Sequence, residues 1–170
     1  VTARKVMLLG EVGVGKTSLV RRLVNDRFEA DYKSTIGVDL YTWTVTNAGP
    51  DGREHVDLVI WDTDGSFNDA ILRTVYVKGA SGALILADAS RPRTLETMTR
   101  LVEGFAAALP GRPFTLVANK CDLQPADVAI PLPARLSEWN LPILKTSALN
   151  GTNVATAFTE IASAILRRGG

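Results

Sequence analysis

Cysteine and histidine are almost missing from this chain: its 170 residues include one of each, Cys121 and His55. A single thiol excludes an internal disulfide, and one thiol with one imidazole is too small a set for a structural zinc site. An unstapled fold in a reducing, cytoplasmic setting is therefore expected. Long apolar runs are missing too. Stretches such as Ala83–Ala87 stop at five residues, far short of the roughly 18 that a membrane-spanning helix needs. Arg167–Gly170 carries no cysteine for a prenyl group, so no membrane anchor is expected from this stretch. Neither charge sign dominates: 19 Lys and Arg face 18 Asp and Glu, for a net charge of +1. That balance argues against a protein that coats nucleic acid or anionic lipid through bulk charge. Repeats, low-complexity tracts and linker-like segments are absent as well, and the length suits one domain, residues 1–170.

What is present is an alternation of short apolar runs and helical patterns. Strands are expected at Lys5–Gly10, Val38–Thr46, Val56–Asp62, Gly82–Asp88, Phe114–Lys120 and Leu141–Thr146. Four of these are nearly unbroken apolar runs, as strands buried on both faces should be. Val38–Thr46 differs, because Tyr41, Trp43 and Val45 alternate with Leu40, Thr42 and Thr44 and a Gly/Pro/Asp-rich stretch follows. It reads as one arm of an antiparallel hairpin with Val56–Asp62. Helical spacing recurs in Leu19, Val20, Leu23 and Val24, in Leu95, Met98, Val102, Phe105 and Leu109, and in Val154, Phe158, Ile161 and Ile165. Strands interleaved with helices predict an α/β fold with a mostly parallel sheet.

The first strand ends in Gly10-Glu11-Val12-Gly13-Val14-Gly15-Lys16-Thr17 and runs straight into the first helical pattern. This is the G-x-x-x-x-G-K-[ST] spacing in its strand-to-helix setting. The glycines let the backbone wrap an anion so that successive N–H groups and the helix start face phosphate oxygens. Lys16 adds a point charge, and the Thr17 hydroxyl suits magnesium. Further along, Asn119-Lys120-Cys121-Asp122 closes the fifth strand and Thr146-Ser147-Ala148-Leu149 follows the sixth. In a doubly wound sheet both emerge at the carboxyl edge, beside the phosphate loop. An ionised Asp122 can accept from the ring N–H and exocyclic amine of guanine, a pair of donors that adenine lacks.

With these motifs in this order, the chain from Val6 to about Leu166 resembles the small GTPases of the Ras superfamily, closest to their Rab-like branch. The resemblance implies a P-loop NTPase G domain: a mostly parallel six-stranded sheet with one antiparallel hairpin strand and helices on both faces. It implies GTP or GDP as ligand and Mg2+ as cofactor. Nucleotide contacts would come from Gly13, Val14, Gly15, Lys16, Thr17, Ser18, Phe28, Thr35, Gly65, Asn119, Lys120, Asp122, Ser147, Ala148 and Leu149. Phe28 would cover one face of the base and Lys120 the other, Asn119 would brace the loop, and the Ala148 N–H would donate to guanine O6. Thr35 resembles the first-switch threonine, which joins magnesium and the terminal phosphate, while Thr17 and Asp62 complete the metal set. The Rab-like flavour comes from Thr35–Asp39, Trp61-Asp62-Thr63 and Ser147–Val154. Rab proteins carry three partner-facing aromatics near the switches, and the matching positions are Leu40, Trp61 and Tyr76. Effectors, an exchange factor and an activating protein are expected there, on a monomer.

The second switch departs from the family pattern. Asp-Thr-Ala-Gly-Gln is usual, whereas this chain reads Asp62-Thr63-Asp64-Gly65-Ser66. The glutamine orients the attacking water, and a serine hydroxyl is too short to copy its reach and paired donor–acceptor geometry. Val12 stands where Ras proteins have glycine, and a branched side chain there crowds the water and any incoming arginine. The catalytic set is then Lys16, Thr35, Gly65, Asp64 and Ser66, with Ser66 at the water and Asp64 read as a solvated charge turned outward, a substitute that positions the water, or a group that destabilises the switch. Slow GTP hydrolysis is expected, the alternative being a GTP-locked binding module without meaningful turnover. An ATP-using P-loop kinase would leave Asn119–Asp122 unexplained, and a G domain cut from a longer protein is a third possibility, one that fits the absent lipid site.

Overall fold

The computed structural model describes residues 2–26, 38–63, 65 and 76–168. The expected Phe28, Thr35, Asp64 and Ser66 lie outside them. Among the described residues, six strands and four helices follow in chain order: β1 (Thr2–Gly10), α1 (Lys16–Asn25), β2 (Val38–Ala48), β3 (Glu54–Thr63), β4 (Ala80–Asp88), α2 (Arg93–Ala108), β5 (Phe114–Asn119), α3 (Ala134–Ser137), β6 (Ile143–Lys145) and α4 (Val154–Arg167). A short 3-10 turn, Cys121–Leu123, sits between β5 and α3. The strands form one sheet in the order β2-β3-β1-β4-β5-β6. Only β2 with β3 is antiparallel; β1 pairs parallel with β3 and β4, and β4–β5 and β5–β6 are parallel.

Period-two alternation along β1 makes the two cores. Val6 and Leu8 face one side, where α1 (Leu19, Val20) and α4 (Val154, Phe158, Ile161, Ile165) cover the sheet. Met7 and Leu9 face the other, where α2 brings Leu95, Met98, Val102 and Phe105. Tyr41 and Trp43 of β2 pack on the first core, and Trp43 meets the ring of Phe158 edge-on at 6.4 Å. Leu40, Thr42 and Thr44, on the other side of β2, are exposed.

Element ends differ from the sequence reading for local reasons. β5 stops at Asn119 rather than Lys120, because Lys120 adopts φ 62°, a left-handed turn that leaves the ladder. β6 is only Ile143–Lys145: Pro142 offers no N–H, and the Thr146 carbonyl accepts from the Cys121 amide at 3.0 Å, beyond the end of β5. The hairpin strands run on to Ala48 and start at Glu54, with a register shift between Val45 and Ala48. Among the described residues, no helix is long and apolar enough to cross a membrane.

Candidate functional site: a phosphate loop beside a base pocket

The loop between β1 and α1 is built around its carbonyls. Lys16 is buried, and its Nζ donates back to Gly10 O at 2.8 Å and Glu11 O at 3.3 Å. Arg91 Nη2 donates to Val12 O at 3.3 Å, Lys120 Nζ to Gly13 O at 2.7 Å and Asn119 Nδ2 to Val14 O at 3.0 Å. The Leu19 amide takes Gly15 O at 2.9 Å. Each carbonyl from Gly10 to Gly15 is thus an acceptor. In a planar trans peptide the N–H points opposite the C=O, so the donors on the Val12 and Val14 carbonyls turn the Gly13 and Gly15 amides away from themselves. The Val14 amide also reaches back to Glu11 O at 3.3 Å, closing the turn. With the start of α1 alongside, this is a concave, electropositive cradle for phosphate. Gly15 is required in it: its φ is 98°, and a Cβ there would lie 2.4 Å from Asn119 Nδ2.

At the mouth of the loop, the Thr17 hydroxyl donates to Asp62 Oδ2 at 2.6 Å, and Asp62 is fully buried at the end of β3. A hydroxyl and a carboxylate brought together this closely are hard oxygen donors suited to one small divalent cation, and magnesium is usually bound through few carboxylates plus substrate phosphates. Gly65 stands against the same loop. A Cβ there would fall 2.6 Å from the Val12 nitrogen and 2.9 Å from Lys16 Nζ, so position 65 admits only backbone beside the lysine. Val12 is 41% exposed at this edge, and Val14 is buried beneath it. Ser18, in the first turn of α1, is half-buried.

The second half of the site comes from the ends of β5 and β6. Asn119 is buried and spans the gap: Thr146 Oγ1 donates to its Oδ1 at 3.0 Å while its amide holds Val14. The Ser147 hydroxyl donates to Asp122 Oδ1 at 2.7 Å and accepts from the Asn150 amide at 3.2 Å, fixing the carboxylate against the segment that carries Ala148. Ala148 is buried and Leu149 is 51% exposed at the rim. A carboxylate fixed in this way can accept from paired N–H donors such as those on the guanine edge.

Behind the loop lies Asp88, which sequence reading missed. It is buried at the end of β4, and its Oδ2 pairs with Arg91 Nε at 3.0 Å and Lys120 Nζ at 3.1 Å. The Ser90 amide and hydroxyl donate to its Oδ1 at 2.8 and 2.6 Å. Burial pushes its carboxyl pKa up, but the bonds from Ser90, Arg91 and Lys120 outweigh it and hold it below the ordinary value. Only the Asp-to-Arg spacing of three in Asp88-Ala89-Ser90-Arg91 could have hinted at it.

On the outer face, the expected partner positions come together. Leu40 lies opposite Trp61 across the hairpin and is 58% exposed. Tyr76, 45% exposed, meets Trp61 edge-on at 6.3 Å. Lys5 places its Nζ 3.8 Å over the Trp61 ring, donates to Lys78 O at 2.9 Å and also bonds Tyr76 O. Burial lowers the pKa of this lysine.

The family model described as Ras family matches residues 5–167. The chain is 33% identical to the Ypt/Rab-type GTPase YPT7 of Saccharomyces cerevisiae, over 96% of this chain and 82% of that protein. It is 36% identical to the Ras-related protein RABA1a of Arabidopsis thaliana, covering 95% and 74% of the two chains. With RABG3f of the same plant it shares 34% identity over 99% and 84%. Matches of this extent place the chain in the Ras family of small GTPases, among its Rab-like members.

Proposed function

We propose that this GTP-binding switch uses magnesium and hydrolyses GTP slowly. The observation that carries the reading is the shared edge: Asn119 joins the cradle at Val14 O to the base pocket at Thr146 Oγ1, so one molecule with guanine and phosphates at its two ends satisfies both halves. The cradle amides and Lys16 would hold the phosphates, and Asp122, braced by Ser147, would select guanine. Thr17 and Asp62 would hold magnesium, which when bound neutralises charge on the phosphate oxygens. Thr35 and the Gly65 amide would meet the terminal phosphate, ordering both switches for a partner on Leu40, Trp61 and Tyr76. Positioning and charge, the main demands of phosphoryl transfer, are supplied by groups that this chain keeps. The weak point is the water, with Ser66 and Asp64 in the second switch and Val12 exposed at the mouth.

The position of Val12 also supports a second reading, a GTP-locked binding module whose off-state depends on exchange. A single-turnover time course separates the two: the chain is loaded with GTP and magnesium, and bound GTP and GDP are quantified by chromatography over many hours. Steady conversion is the expected result. GTP persisting unchanged would replace slow hydrolysis with the locked module.

A further inference from the structure

Four consecutive residues of the phosphate loop are tied to groups outside it, and two of the ties come from the corner between β4 and α2. Glu11 is held through its carboxylate, by Arg93 Nη2 at 2.6 Å and Thr97 Oγ1 at 2.9 Å. Val12 is held through its carbonyl by Arg91, Gly13 by Lys120 and Val14 by Asn119. Lys120 and Asn119 belong to the base-pocket segment. Arg91 and Arg93 belong to no motif of the site, yet Arg91 lies so close behind the loop that a Cβ on Gly13 would sit 3.2 Å from its Nη2.

We infer that the β4–α2 corner is a positioning clamp on the phosphate loop, with Arg91 as its principal residue, and that it sets affinity for the phosphates of the nucleotide rather than for the base. The inference rests on the proposed nucleotide site. Its physical basis is the rigid peptide: holding Val12 O from behind fixes where the Gly13 N–H points. The guanidinium fork does this because one edge is itself anchored. Arg91 Nε is engaged by the buried Asp88 carboxylate while Nη2 reaches the loop, so two separate nitrogens of one rigid fork make the two contacts, a span that a lysine's single ammonium at position 91 lacks. Asp88 applies the same anchor to Lys120, so one carboxylate orients the donors to two adjacent carbonyls. Arg93 is the weaker arm, since its side chain is 73% exposed.

The test is calorimetric titration of the chain with GDP and with GMP in magnesium buffer. GMP keeps the base and shortens the phosphate tail, so a clamp on the cradle should matter for GDP and hardly at all for GMP. For Arg91→Ala, GDP affinity is expected to fall about ten-fold, with faster GDP release and GMP affinity within about two-fold. Arg91→Lys, which keeps the charge without the fork, is expected to resemble Arg91→Ala. Arg93→Ala should cost GDP about three-fold or less. Equal losses for GDP and GMP would show a general structural role and overturn the clamp, as would unchanged GDP affinity in Arg91→Ala. Wild-type behaviour of Arg91→Lys would overturn it in favour of bare charge. A parent chain that fails to prefer GDP over GMP would instead defeat the nucleotide site on which the inference rests.

Discussion

Asp122 is the residue through which selectivity should be most visible. Its carboxylate is fixed by the Ser147 hydroxyl at 2.7 Å, and a hydrogen bond to a charged group is worth about 1.5–3 kcal/mol. Asp122→Ala should therefore reduce the preference for GTP over ATP by roughly ten- to a hundred-fold in a competition titration; an unchanged preference would remove Asp122 from the base pocket. Residues 12 and 66 carry the catalytic account. Ser66→Gln combined with Val12→Gly should raise single-turnover hydrolysis at least about ten-fold, and a double variant no faster than the parent would refute that account. Motifs expose residues such as Lys16, Asn119 and Asp122 because their chemistry needs a fixed spacing along the chain. Asp88 and Arg91 stayed hidden, since the contact of Arg91 with Val12 joins residues far apart in sequence and the anchoring Asp88 depends on where β4 ends. Phe28, Thr35, Asp64 and Ser66 were read from the resemblance alone.

At the level of elements, α4 carries more of the core than its length suggests. Phe158 is fully buried and meets Trp43 edge-on, so one side chain joins the helix to the edge strand of the sheet. Phe158→Ala should cost about 3–5 kcal/mol, a drop of roughly 6–20 °C in thermal midpoint for a chain of this size; a shift under about 2 °C would mean that the hairpin and α4 are not coupled through this ring. The strands were legible as apolar runs, or in β2 as alternation, and the three long helices from their 3.6-residue spacing, because each of these buries apolar side chains in a regular way. Cys121–Leu123 and Ala134–Ser137 were not. A single turn is too short to show a period, and both form where a left-handed Lys120 or a proline redirects the chain.

Across the whole molecule, Asp88 ties stability to pH. Its carboxyl is held below the ordinary value in the fold, so its contribution is full above the unfolded pKa of about 3.9 and is lost as pH falls through the lower folded value. Asp88→Asn should flatten that acid limb in denaturant titrations below pH 4; an unchanged limb would mean that other carboxylates set it. Ligand linkage acts on the same scale. GDP at about a thousand times its Kd should stabilise the fold by roughly 4 kcal/mol, visible as a rise in thermal midpoint that ADP at equal concentration does not give, and equal shifts would contradict guanine selection.

The strand order bears on how the chain is made. β1 comes first of the six strands, yet it lies between β3 and β4. On a ribosome adding about 5–20 residues per second, the interval between completing Gly10 and starting Ala80 is roughly 4–14 s. Throughout it, Val6–Leu9 has at least one open edge that a strand of a neighbouring nascent chain could take. Slow codons placed before residue 80 should therefore lower the soluble yield more than the same codons placed after residue 88.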